Sequence, residues 1–380
     1  MRLLITGGGT GGHVTPAIAT IASLRERLGG ETLELLWVGT ASSVESRIAA
    51  EQGIPFRAIQ TGKLRRYFSL ENLIDLGRLP IGAVQALVTI RRFRPAVVFS
   101  TGGFVSVPAV AAAGLLRCPI LTHEQTAQLG LANRLNLRFA TTLALAYEAT
   151  RAFVPPTRRR VVVTGNPVRR EIHTGDRAEG ARLLGLDPAL PTIYVTGGAR
   201  GARAINATIA ALVPTLVERY QIIHSCGVQD VAPTLPDLAA IGQALPNHLR
   251  GRYVVRDFIG AELPHVYALT SLVIGRSGAG TIAELAALGK PAILIPLPGT
   301  GGDEQTKNAQ LLAEAGGAIL LPEAALSAAS LRETIDSLLA PDAQERLRQM
   351  GEAARTQAPV DAAAHVAEEL LRLRANTRSA

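Results

Sequence analysis

Cysteine is nearly absent from this chain: 380 residues contain two, Cys118 and Cys226. Two thiols build no disulfide framework, and their scarcity suits a reducing compartment. Aromatic residues make up only 4%, too few for a platform on which nucleic-acid bases stack. Lysine is scarce as well. Only Lys63, Lys290 and Lys307 stand among 39 basic residues, a bias of composition rather than a functional signal. No apolar stretch of about 18 residues runs free of charge or proline, so no membrane-spanning helix is expected. No leader is expected either, because Met1 runs almost directly into a strand-like segment.

What is present is apolar and glycine-rich. Apolar residues are 47% and charged residues 18%, enough for substantial cores and too hydrophobic for a disordered chain. The length is comfortable for two domains. The net charge of +8 is unevenly placed: between Arg57 and Arg94 stand Arg57, Lys63, Arg65, Arg66, Arg78, Arg91, Arg92 and Arg94 against Glu71 and Asp75. Tyr67, Phe68, Leu70, Leu73, Ile74 and Leu79 are interspersed. Such a mixture fits a core-facing helix with solvated arginines, or a patch for anionic lipid worth about 1 kcal/mol per basic residue. No nucleic-acid-binding motif is found, so a nucleic-acid partner is not expected.

Apolar strand-like runs alternate with helix-length segments. They read RLLIT, LELLWVG, AVVFSTGG, PILTHEQ, TLALAY and VVVTGNP, then TIYVTGG, YQIIHSCG, YVVRDFIG, SLVIGRSG and PAILIPLP. This pattern implies α/β architecture, with parallel sheets covered on both faces. The two series read as two doubly wound units. An echo between LLITGGGTGG and IYVTGGARGA supports the repeat, each placing a glycine turn after its unit's first strand. Proline, glycine and charge cluster after VTGNP, and the expected boundaries are 1–163, 164–360 and a closing helix at 361–380. That helix could dock on either domain, and a return to the N-terminal one is expected.

Four glycine loops follow strands and precede helices. In the first, Gly7, Gly9 and Gly12 satisfy G-x-G-x-x-G, a dinucleotide fingerprint. That reading needs a carboxylate ending the second strand, but the run ends Val38, Gly39, Thr40, with none before Glu45. A Walker loop is excluded, because no Gly-Lys-Ser/Thr follows. What remains is a loop of free backbone N–H groups at a positive helix end, suited to an anionic or polar group. His13 follows it and is a candidate for proton transfer. The other loops carry Gly102 and Gly103, the run GGARGA, and Gly278 and Gly280 ahead of a helix containing Glu284. One such loop is weak; the set points to one cleft between two domains.

The segments GGGTGGHVTPA, STGGFVSVPA, HEQ, GNPVR, GGARGA, GRSGAGTIAEL and DEQTKNA occur in this order. Together they resemble the MurG family, bacterial peptidoglycan N-acetylglucosaminyltransferases of glycosyltransferase family 28, from about residue 2 to the C-terminus. The resemblance implies a GT-B fold of two Rossmann-like domains, with the donor UDP-N-acetylglucosamine mainly in the C-terminal one. It implies inverting transfer to undecaprenyl-diphosphate-linked N-acetylmuramoyl-pentapeptide (lipid I), giving lipid II. It also implies a peripheral enzyme on the cytoplasmic face of the plasma membrane. Donor or substrate contacts are implied at Thr10, Gly11, Gly12, Thr126, Arg169, Ala199, Ile259, Ala279, Gly280, Thr281, Glu284 and Gln305. Within that set Arg169 resembles the arginine near the phosphates, Glu284 the partner of the ribose, Gln305 the reader of the sugar, and the Ile259 backbone the uracil contact. Gly102 and Gly103 are expected at the acceptor diphosphate, with the opening loop as its seat. His13 is the first expectation for the general base and Glu124 the second, with His123 ordering its loop. Lys63, Arg65, Arg66, Tyr67, Phe68 and Leu79 are expected to meet an anionic membrane surface.

No Asp-x-Asp pair occurs, so no metal cofactor is expected, and charge neutralisation is assigned to helix N-termini and arginine. The chain departs from the family pattern at Thr126 and Leu129, where Asn and Pro are usual. It departs again at Ala199 and Arg200, which replace Ser and Gln. Ala199 offers a backbone N–H but no hydroxyl, and Arg200 could supply the lost contact. Three alternatives stay open: another GT-B transferase with a different lipid or natural-product acceptor, a sugar-nucleotide epimerase of the same fold, and a non-catalytic nucleotide-sugar-binding protein.

Overall fold

The computed structural model describes residues 1–9, 11–61, 70–227, 237–358 and 361–378. Thr10, Lys63, Arg65, Arg66, Tyr67 and Phe68 lie outside the described residues, and of Leu79 only the backbone is described, within the helix Leu70–Phe93. The chain folds as two units: Met1–Arg169 together with the C-terminal helix Ala362–Arg378, and Arg170–Ala358.

In the first unit the strands are β1 (Arg2–Thr6), β2 (Glu34–Gly39), β3 (Phe56–Ala58), β4 (Val97–Ser100), β5 (Ile120–Glu124), β6 (Thr142–Leu145) and β7 (Arg160–Val163). They form one parallel sheet in the order β3-β2-β1-β4-β5-β6-β7. Side chains alternate across it, which is why both faces need cover. Leu3 and Ile5 pack with Val14 and Ile21 of the helix Gly11–Arg27 and with Val366, Ala367 and Leu370 of the C-terminal helix. Leu4 points the other way, into Ile90, Ala109 and Val110 of the helices Leu70–Phe93 and Val107–Leu115. Arg374 of the C-terminal helix grips Glu31, and its guanidinium holds that carboxyl down at about 2.

The second unit repeats this winding. Its strands are β8 (Thr192–Thr196), β9 (Gln221–Ser225), β10 (Tyr253–Arg256), β11 (Leu272–Gly275), β12 (Ala292–Leu294) and β13 (Ala318–Leu320), all parallel, in the order β10-β9-β8-β11-β12-β13. Ile193 and Val195 of β8 pack with Ile205, Ile209 and Val213 of the helix Arg203–Leu216. In each sheet the winding reverses beside the first strand, between β1 and β4 and between β8 and β11. Ligands of doubly wound sheets bind outside the strand ends at such points. Two strands escape the apolar-run reading, β3 and β13. Each is a three-residue edge strand, too short to show a period.

Two histidines in the sheets are buried as neutral rings. Burial pushes His123 of β5 down to about 4, although its Nε2 donates to the Gly165 carbonyl at 2.8 Å, which favours the charged form. Burial likewise lowers His224 of β9 to about 4; its ring lies between Tyr253 Oη at 2.9 Å and Asn206 Oδ1 at 3.0 Å. Both folded values lie below the unfolded one, so this stability is fully present above pH 6.5 and is lost as pH falls toward 4. We expect each ring to remove on the order of 3 kcal/mol over that window. Urea titrations of wild type and His224→Gln at pH 7 and pH 4.5 check this: the variant should lose less stability on acidification. Equal losses would exclude His224 as a source.

Candidate active site

The first glycine loop is packed as much as it is open. Gly7, at φ 135°, lies against Thr101 of the loop after β4, where an added Cβ would fall 2.1 Å from Oγ1. Gly103, at φ 76°, would drive its Cβ within 2.7 Å of the Gly8 carbonyl. The two loops at the reversal of the sheet therefore interlock through positions that admit no side chain. Beneath them sits Glu45, fully buried in the first turn of the helix Val44–Glu51. Its carboxylate accepts the Gly9 N–H at 3.1 Å and the Thr40 N–H at 3.3 Å, and it fills the space that a Cβ on Gly8 would need.

This narrows the expectation of a loop of free N–H groups at one position, because the Gly9 donor is engaged by a buried carboxylate. The Gly102 N–H is engaged too, by Ser100 Oγ at 3.2 Å. Glu45 is the site residue that sequence reasoning passed over. In sequence it stands too late for a ribose contact, whereas its position in a helix first turn, after Ser43 with its capping box to Ser46, aims it back at the loop.

His13, half-buried in the first turn of the helix Gly11–Arg27, comes together with Gly103. A Cβ on Gly103 would lie 3.6 Å from His13 Nε2. The opposite nitrogen, Nδ1, lies 2.8 Å from the Thr101 carbonyl and 3.0 Å from Gln125 Oε1. Gly11 is exposed and Gly12 half-exposed at the same helix start.

Glu124 ends β5 and is differently occupied. Oε1 accepts from Thr126 N at 3.2 Å and faces Thr126 Oγ1 at 2.8 Å, while Oε2 accepts from Gly130 N at 2.9 Å and Asn133 Nδ2 at 3.0 Å. Three N–H donors hold a carboxylate that is 3% exposed, and the one Thr126 hydroxyl proton serves either it or the Gln128 carbonyl. Thr126 is buried with it and also reaches the Gln128 carbonyl, so its hydroxyl orders the loop.

In the second unit the loop after β11 has the opposite character. Gly278 and Gly280 have nothing within 4 Å of an added Cβ, so open space rather than packing surrounds the start of the helix Ala279–Leu288. That helix has no side-chain cap and no acidic residue in its first turn, which leaves its positive end suited to an anion. Half-buried Thr281 and largely buried Ala279 share this turn. One turn on, Glu284 accepts from Tyr267 Oη at 3.0 Å, and Tyr267 packs edge-on against Tyr194 with centroids 5.6 Å apart. Burial raises the Tyr194 phenol to about 12, with the Glu284 charge adding to the shift.

Gln305, at the start of the helix Glu304–Glu314, accepts from Leu297 N through Oε1 at 2.9 Å, and its carbonyl accepts from buried Ser277 Oγ at 2.7 Å. The loops after β11 and β12 are thus tied at one place. Arg276 is turned inward, donating to the Ile295 and Pro296 carbonyls and pairing with Glu323. Ile259 is buried after β10. Ala199 and Arg200 are exposed after β8. Arg169 is exposed and is the last residue of the first unit's main segment. Among the described residues no group of three His, Cys, Asp or Glu side chains could hold a metal ion.

Comparison with known proteins fits both halves. Residues 3–145 match the glycosyltransferase family 28 N-terminal domain and residues 192–366 its C-terminal domain. The chain is 37% identical over 339 residues to the UDP-N-acetylglucosamine–N-acetylmuramyl-(pentapeptide) pyrophosphoryl-undecaprenol N-acetylglucosamine transferase 2 of Bacillus cereus, spanning 89% of this chain and 91% of the relative. It is 36% identical over 370 residues to the transferase of the same description from Treponema pallidum, spanning 97% and 94%. Among solved structures, Acinetobacter baumannii MurG superposes with a TM-score of 0.73 at 27% identity, over 98% of this chain and 99% of that one. A UDP-GlcNAc 2-epimerase from Neisseria meningitidis superposes at 0.68 with 14% identity, over 98% and 100%, a likeness of fold alone. The chain belongs to glycosyltransferase family 28.

Proposed function

We propose that the chain moves N-acetylglucosamine from UDP-N-acetylglucosamine to the C4 hydroxyl of undecaprenyl-diphosphate-linked N-acetylmuramoyl-pentapeptide, inverting the sugar carbon. The observation that carries this is likeness along nearly the whole chain to relatives whose names state that transfer. In the step, His13 Nε2 takes the acceptor proton and the hydroxyl oxygen bonds to C1 of the sugar. The C1–oxygen bond to UDP breaks on the opposite face, its electron pair leaving on the diphosphate. The start of the helix Ala279–Leu288 meets that growing charge without a metal, helped by Arg169 and the Ala199–Arg200 backbone. Glu284 accepts from the ribose hydroxyls, Gln305 reads the sugar and the Ile259 backbone meets the uracil. On the acceptor side Gly103 and the Gly11–Gly12 turn face the lipid diphosphate, and Glu124 and Thr126 hold the neighbouring loop.

Mass spectrometry with UDP-N-acetylglucosamine and a lipid I analogue tests the reading. A disaccharide product with release of UDP, unchanged by a chelator, is expected. An isomer of the sugar nucleotide formed without acceptor would replace this reading with the epimerase one, and no conversion would overturn it.

The membrane reading draws support from the helix Leu70–Phe93. Ile81, Val84 and Val88 are 50%, 61% and 43% exposed on one side, and Arg91 and Arg92 follow, also exposed. This is the composition of an interfacial face, and no helix among the described residues is long and apolar enough to cross a membrane. We expect the protein to sediment with anionic vesicles and to be released by salt. Equal binding to neutral and anionic vesicles would remove the electrostatic part.

A further inference from the structure

We infer that Gln125 is a positioning residue that holds His13 in its Nδ1–H tautomer, leaving the Nε2 lone pair for the acceptor; the catalytic consequence rests on His13 being the base. The argument begins at a carbonyl. Thr101 O can only accept, and it stands 2.8 Å from His13 Nδ1, so that nitrogen carries the proton. The Gln125 amide is oriented by the same logic. Its Nε2 faces two carbonyls, Thr101 O at 2.7 Å and His123 O at 3.3 Å, which only an NH2 group can do. Oε1 is thereby turned to His13 Nδ1 at 3.0 Å as a second acceptor. With Nδ1 bare, its lone pair would face two oxygens.

The frame is rigid because it is dry. Thr101 is fully buried and Gln125 is 1% exposed, so water does not readily replace either partner. It also draws on three strand ends, with His13 following β1, Thr101 following β4 and Gln125 following β5. Rotation of the ring would expose a buried carbonyl and a buried amide oxygen together. Gln125 touches no substrate in this scheme. It acts through the imidazole by fixing which nitrogen is basic and where that nitrogen points.

Two measurements test this in the full chain. The first is a nitrogen-15 spectrum of the histidine rings, with the His13 signals assigned by their loss in His13→Ala. The Nδ1–H form is expected for His13 in the wild type, with a larger share of the Nε2–H form in Gln125→Met, where the Thr101 carbonyl alone still faces Nδ1. An Nε2–H ring in the wild type would overturn the inference, and that reading does not depend on Gln125→Met folding. The second is a double-mutant cycle in turnover. Gln125→Met should lower kcat about tenfold or more, yet change it less than about twofold in a His13→Ala background. Losses that multiply, or lost activity with an unchanged tautomer, would make Gln125 merely structural. Full turnover of His13→Ala alone would instead remove the base assignment while the spectrum still decided the tautomer.

Discussion

Replacing His13 with alanine lowers kcat by about two to four orders of magnitude, the range over which a positioned general base contributes. The Michaelis constant for UDP-N-acetylglucosamine should stay within about threefold, because the proposed donor contacts belong to Glu284, Gln305 and the Ala279–Thr281 turn. An interaction used mainly in the transition state lowers kcat and kcat/KM together. Single-turnover measurements with both substrates saturating check this, and undiminished turnover would remove His13 from the mechanism. Geometry favours His13 because Nδ1 is held while Nε2 faces Gly103. Both oxygens of the Glu124 carboxylate are instead engaged by their own buried loop, Oε1 by Thr126 N and Oε2 by Gly130 N and Asn133 Nδ2.

Glu124→Leu has the other large effect, and it is on stability. The substitution leaves the Thr126 and Gly130 N–H groups and the Asn133 amide without their acceptor in a buried loop. Stranding several buried donors costs roughly 3–5 kcal/mol, since each carries about 1–3 kcal/mol of desolvation and relaxation recovers part. For a unit of this size the midpoint of thermal unfolding should fall by about 10 °C or more. Calorimetry of Glu124→Leu and the milder Glu124→Gln checks it. A Glu124→Gln protein that keeps its stability but loses turnover a hundredfold would reverse the roles of Glu124 and His13.

What the sequence makes legible here is what depends on local pattern. RLLIT and TIYVT read as buried strands because their apolar residues serve both faces of a parallel sheet, and the glycine turns mark the strand ends beside the reversals. The order of short segments carries the family. What is hidden depends on residues far apart in sequence. Glu45 is an unremarkable acidic residue until tertiary packing brings it beneath Gly8 and Gly9. Arg276 in GRSGAG has no partner legible in the sequence, yet it is folded onto the Ile295 and Pro296 carbonyls and Glu323. Glycine loops have two physical uses, close packing and close approach of a ligand, and motif spacing alone does not separate them. The first loop uses the former at Gly7 and Gly8. The loop holding Gly278 and Gly280 has the open surroundings that the latter requires.

The helix Ala362–Arg378 carries a consequence for how the protein is made. It supplies Val366, Ala367, Leu370 and Leu373 to the core around Leu3, Ile5 and Phe99, so the first sheet lacks one of its covers until residues 362–378 have been synthesised. The second unit lies wholly within Arg170–Ala358 and can close before that helix is synthesised. At ordinary elongation rates the wait for the helix lasts roughly ten to forty seconds. During that interval the part of the first sheet that this helix covers, around Leu3 and Ile5, waits for its apolar partner.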